Sequence, residues 1–146
     1  MVNLQIDFEN LKYSNRCNPF NQNYMNSIDD AAQLSKTLLY NINKTWIKKE
    51  GDFWVSSAIN YLTCAIWFLK FMEKQYPQLG EICDLPHAIE LINKDPVTIF
   101  SIIERYPELD TYSSMFTYAI RSQATKQLSG QMSSVQSALA GISSAN

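Results

Sequence analysis

Apolar residues recur along most of this chain at the three- and four-residue spacing of helices packed on a common core. Ile28, Ala31, Ala32, Leu38, Leu39, Ile42 and Trp46 fall within about a third of a helical circumference, leaving Asp29, Gln33 and Lys36 outside that stripe. Ser27 precedes the stripe and Asp30 follows three positions later, so an N-cap with an acid at the positive end of the helix dipole starts this element. Residues 53–72 (FWVSSAINYLTCAIWFLKFM) are apolar almost all round. Gly51-Asp52 opens that helix and Pro77 closes it, giving a long central element over about 53–76.

The remaining helices are set by punctuation. Leu85-Pro86 starts a short helix to about Asn93, and Asp95-Pro96 repeats the start for a helix over 97–106 that stops before Pro107. Met115, Phe116, Ala119 and Ile120 mark one face of the next. Leu128, Met132, Val135, Leu139 and Ile142, spaced four, three, four and three, form the seam of a last helix, whose opposite face carries Lys126, Ser133 and Ser137. The expectation is an all-α domain of five to six helices over 27–146. Residues 1–26 form an extended segment in which VNLQIDF alternates like a strand but meets no partner strand, as a remnant of an adjoining domain would.

The apolar run at 53–72 approaches membrane-spanning length, yet Ser56, Ser57, Asn60, Thr63 and Lys70 interrupt it and amphipathic segments flank it. A buried core helix is therefore expected. Residues 1–10 have neither the basic nor the apolar region of a secretory signal. With 46% apolar and 18% charged residues the chain has the material for one core. Cys17, Cys64 and Cys83 match no disulfide or metal-pair spacing and read as reduced, mostly buried thiols of a cytoplasmic protein.

Candidate chemistry is sparse. The four glycines, Gly51, Gly80, Gly130 and Gly141, cannot build a GxxxxGK[ST] phosphate loop, so no nucleotide site is expected here. His87 is the single histidine, at a helix start near Glu90, where surface placement outweighs a nucleophile-activating role. The carboxylate pairs Asp29-Asp30, Glu81 with Asp84, and Glu108 with Asp110 lie at helix starts or in loops, where acids complement the dipole. No catalytic residue, metal site or cofactor is expected. Trp46, Phe53, Trp54, Trp67, Phe68 and Phe71 have the composition of a stacking surface for single-stranded nucleic acid, but their helical spacing assigns them to the core.

The net charge of -2 hides an asymmetry: nine acids face four bases over 52–110, whereas 111–146 carries Arg121 and Lys126 and no acid. Arg121, Gln123, Lys126, Gln127 and Gln131 supply donors without competing carboxylates, suited to phosphates or peptide carbonyls. They are the candidate contacts for a partner.

Three segments, in this order, resemble the type IV secretion coupling proteins, the TraG/TraD-type conjugative DNA-transfer ATPases. RCNPF at 16–20 looks like the turn that leaves the family's nucleotide-binding domain. GDFWVSSAINYLTCAIWFLKF looks like the aromatic-led long helix that follows, and RSQATKQLSGQMSSVQSALAGIS is similar to the Ser-rich helix closing the inserted all-alpha domain. NINKTWIKKEGDF and LPHAIELI resemble segments of the variant found in Bacteroides-type conjugative elements. The resemblance covers residue 12 to the end. It implies an excised all-alpha domain, with the motor's Walker A before it and Walker B after it, on the cytoplasmic side of a membrane-anchored homo-hexamer. It further implies recognition of the relaxase-DNA complex or of a secreted protein, with DNA as a possible direct ligand. The alternative is a structural module that packs against the rest of the ATPase and touches no substrate.

Overall fold

The computed structural model describes residues 25–144, with side chains placed as far as Ala140. The strand expected in VNLQIDF and the turn at RCNPF lie outside the described residues. Six α-helices follow one another: α1 (Ile28–Ile42), α2 (Phe53–Gln75), α3 (Leu85–Ile92), α4 (Pro96–Ile103), α5 (Asp110–Arg121) and α6 (Thr125–Ser144). Short 3-10 turns at Lys44–Lys49, Pro77–Leu79 and Pro107–Leu109 join them, and no strand occurs among the described residues.

The helix starts are fixed by local hydrogen bonds. Ser27 Oγ accepts from the Asp30 amide while the Asp30 carboxylate accepts from the Ser27 amide, a reciprocal capping box at α1. Asp52 Oδ1 accepts from the amides of Trp54 and Val55 at the start of α2, and Asp84 accepts from the His87 amide at α3. Asp95 departs from this pattern: α4 begins at Pro96 as expected, but the Asp95 carboxylate accepts from the Thr98 hydroxyl at 2.9 Å instead of capping the backbone. α4 also ends at Ile103, short of the 97–106 expected, and the chain turns through Tyr106 into the 3-10 segment. Gly51, at φ 91°, makes the turn into α2 in a conformation that side-chain-bearing residues rarely adopt.

α2 is the axis of the fold, packing against α1, α3, α5 and α6. It is buried on nearly every side, from Val55 and Ala58 through Leu62, Ile66 and Leu69. Its length and mean hydropathy of 1.2 match those of a spanning helix, but 67% of its most apolar stretch is buried inside the fold, as a core helix requires. Tyr61 sits at the centre, edge-on to Phe100 of α4 at 5.1 Å and to Phe116 of α5 at 5.0 Å, while those two rings stack at 4.7 Å. Lys70 is buried too. Its ammonium lies 6.0 Å from the Trp67 ring centre, and burial lowers its pKa.

α6 lies along α2 and touches α1, α3 and α5 as well. Leu128, Val135 and Leu139 face the core, with Met132 half-buried, and Ala138 joins them. Asn43 at the end of α1 donates to the carbonyls of Leu39 and Ala138, tying that corner to α6.

Candidate functional site

The five residues expected to meet a partner do not form one surface. Arg121 ends α5, Gln123 turns the chain in a left-handed conformation at φ 59°, and Lys126 opens α6. All three are exposed where the chain passes from α5 to α6. Arg121 is partly held, its guanidinium donating to the Thr117 hydroxyl at 3.5 Å. Gln127, the next residue after Lys126, is half-buried.

Gln131 is a correction. It is 0% exposed, locked between α2 and α6 with its amide donating to Ser57 Oγ at 3.4 Å. Its carbonyl oxygen is buried without a hydrogen-bond partner among the described residues. A residue chosen as an exposed donor is thus a packing residue, placed on the Leu128–Val135 stripe by the helical period.

The aromatic residues divide as well. Trp67 is core, and its indole N–H donates to the Glu108 carboxylate; Phe71 stacks on Tyr106 at 5.1 Å. Phe53 and Trp54 are not core. They stand 43% and 44% exposed at the start of α2, with Ile47 62% exposed on the preceding turn. Their rings meet edge to face, 4.9 Å apart and at 80°.

Beside this pair runs an open groove of about 580 Å³, lined by Asn43, Trp46, Lys49, Asp52, Trp54 and Val55 on one wall and by Ser133, Ser134, Ser137 and Ala138 of α6 on the other. Gly130 makes the close approach possible: a Cβ there would stand 2.8 Å from Trp54 Cζ3. The electrostatics of the rim follow from who is already paired. Lys36 holds Glu50 at 2.6 Å, and Asp52 is engaged by the two amides of its cap. Lys44, Lys48 and Lys49 are exposed and make no ion pair among the described residues; of the three only Lys49 lines the groove, where Asp52 is the other charged side chain. The α6 wall adds hydroxyls and no charge.

Sequence reasoning missed this groove, although its two halves were visible separately. The string KTWIKKEGDFW sets three lysines beside two indoles and a phenylalanine, and Ser133 and Ser137 were assigned to the outer face of α6. Elsewhere the titratable groups do structural tasks. His87 Nδ1 meets Asp84 Oδ1 at 2.6 Å on the surface, and Tyr112 donates to Asp29 at 2.6 Å, linking α5 to α1. Burial pushes the thiols of Cys64 and Cys83 up, the latter to about 12. Among the described residues no three His, Cys, Asp or Glu side chains gather into a metal cluster.

Comparison with known proteins adds no relative: no family model matches the chain, and no curated protein or solved structure does so either.

Proposed function

We propose that this chain is a recognition domain that holds a partner macromolecule on its surface and carries out no catalytic step of its own. Within that reading, the ordered resemblance of its segments makes it the substrate-recognition domain of a conjugative coupling ATPase, working at the cytoplasmic face of the membrane. The relaxase-DNA complex or a secreted protein would be its partner, and the remainder of the motor would supply the nucleotide chemistry. One observation carries the recognition role: the half-exposed ring of Trp54, the exposed Lys49 and the uncharged hydroxyls of Ser133, Ser134 and Ser137 line one open groove, a combination suited to an interface with an apolar centre and a polar rim.

The test is direct binding of the 146-residue chain to its cognate relaxase and to single- and double-stranded DNA at low salt, read by fluorescence anisotropy. Saturable binding to any of the three is expected. Absence of binding to all three overturns the reading and leaves a structural packing module, whose exposed Ile47, Phe53 and Trp54 would face the rest of the motor.

A further inference from the structure

Independently of the recognition reading, we infer that the domain is electrically self-complementary along α2 and associates head to tail, the basic end of one copy seating on the acidic end of a second.

Contacts between helices fix which residues share an end. The turn Lys44–Lys49 leads from α1 into the start of α2, where Trp54 lies against Gly130 of α6. α5 runs antiparallel to α2: Phe116 meets Tyr61, and Glu108, just before α5, accepts from the Trp67 indole. Tyr112 donates to Asp29, which brings the first turn of α1 to that second half of α2 as well. Cys83 ties the α2–α3 loop there, its amide donating to Glu73 and its thiol to the Ile66 carbonyl. Tyr106 does the same for the passage from α4 to α5 by stacking on Phe71.

Charge sorts along this axis. Towards the start of α2 lie Lys44, Lys48 and Lys49, with Arg121 and Lys126 where α5 passes into α6, and all five are exposed without an ion pair among the described residues. Of the acids at this end, Glu50 is held by Lys36 and Asp52 caps α2. Towards the end of α2 the acids gather instead. Asp29 and Asp30 stand on α1, Glu73, Glu81 and Asp84 around the α2–α3 loop, and Glu104, Glu108 and Asp110 between Ile103 and α5. Lys74 and Arg105 are the exposed bases among them, Lys70 being buried. The hydrogen bonds that Asp29, Glu73 and Glu108 accept come from a phenol, an amide and an indole, so these carboxylates keep their negative charge. Of the remaining charges, Lys94 and Asp95 are neighbours in the turn from α3 to α4 and offset one another, and Glu90 lies on α3.

The occupant follows from this sorting. Five of the seven large apolar side chains exposed among the described residues stand at the two ends, Ile47, Phe53 and Trp54 at the basic one and Tyr76 and Leu79 at the acidic one. Each end thus joins apolar surface to a surplus of one charge, and the surplus opposite to it is found on a second copy of the same chain. Attraction between ends reaches over about 10 Å at 0.1 M salt, so the lysines need share an end and not one side of their turn. The net charge of -2 is too small to hold copies apart. Because the two ends differ, each contact leaves one basic and one acidic end open, and assembly continues instead of closing as a symmetric pair.

Sedimentation equilibrium of the 146-residue chain tests this. At about 20 mM salt the weight-average mass should climb with concentration past that of a dimer, and at about 0.5 M salt it should return to that of one chain. Lys48→Glu with Lys49→Glu reverses the basic end, and Glu81→Lys with Glu104→Lys the acidic end, all at exposed positions. Each double variant alone should self-associate about tenfold more weakly or worse, with circular dichroism confirming its fold. Mixed, the two variants retain one native end each and should form a one-to-one complex that grows no further.

A parent that stays monomeric at low salt, association that strengthens with salt, a variant that self-associates as well as the parent, or a mixture that remains monomeric would each overturn the inference. None of these outcomes alters the binding of relaxase or DNA, which the recognition reading requires and its own experiment decides.

Discussion

Gln131 and Ser57 show how a single polar contact is built into an otherwise apolar interface. The Gln131 amide has a donor bonded to Ser57 Oγ and a buried carbonyl oxygen left over, so the pair is only half satisfied. Removing the hydroxyl alone, in Ser57→Ala, strands the amide nitrogen as well and should cost about 1–3 kcal/mol in urea unfolding. Adding Gln131→Met should return most of that loss, because both polar partners then disappear together. The sequence could not display this: glutamine types as surface, and only the neighbours of α6 reveal that position 131 faces inward. A second residue-scale effect is pH-dependent. Burial first, and the hydrogen bond to Asp29 second, raise the Tyr112 hydroxyl to about 12. The unfolded chain gives up that proton near pH 10, while the folded chain still holds it. The stabilising contribution is therefore complete below pH 10 and lost as pH rises towards 12. Urea midpoints measured across that window should fall less steeply in Tyr112→Phe than in the parent.

At the scale of elements, most of the helix boundaries were legible. Ser27 with Asp30, Asp52 after Gly51, and Pro86 and Pro96 each name a start by a local rule, and the structure places helices there. What local rules could not name was the groove, since Trp54 and Ser137 meet only after α6 folds back along α2. Asp52 serves both stories. Asp52→Ala should cost about 1 kcal/mol of stability, and Asp52→Asn, which keeps the capping oxygen, appreciably less; chemical denaturation of the three chains separates them. Gly130 is the complementary case. Alanine is the better helix former by about 1 kcal/mol, but its Cβ would meet the Trp54 ring at 2.8 Å. Trp54 is half in solvent and free to yield, so Gly130→Ala is expected to fold normally while pushing the indole outward. A red-shifted tryptophan emission that is absent in a Trp54→Phe background would register the displacement.

Among the described residues the contacts converge on α2, so the helices are expected to unfold as one cooperative body. The Tyr61, Phe100 and Phe116 cluster joins α2, α4 and α5 in a single aromatic knot. Phe116→Ala should remove about 3–5 kcal/mol, with fluorescence and circular dichroism reporting one coincident transition. Separate transitions for the two probes would show that α4 and α5 melt independently. The all-helical architecture was legible at this scale, since apolar period and length carried it, and so was the burial of α2, which its own composition left ambiguous between core and membrane. The arrangement also has a consequence for synthesis. α6 touches α1, α2, α3 and α5, and it supplies Leu128, Val135, Ala138 and Leu139 to the same core. As the chain leaves the ribosome, α2 emerges some fifty residues before the helix that covers it. Its apolar flank must wait uncovered for that interval, which makes the nascent chain a natural client for a chaperone until the last helix arrives.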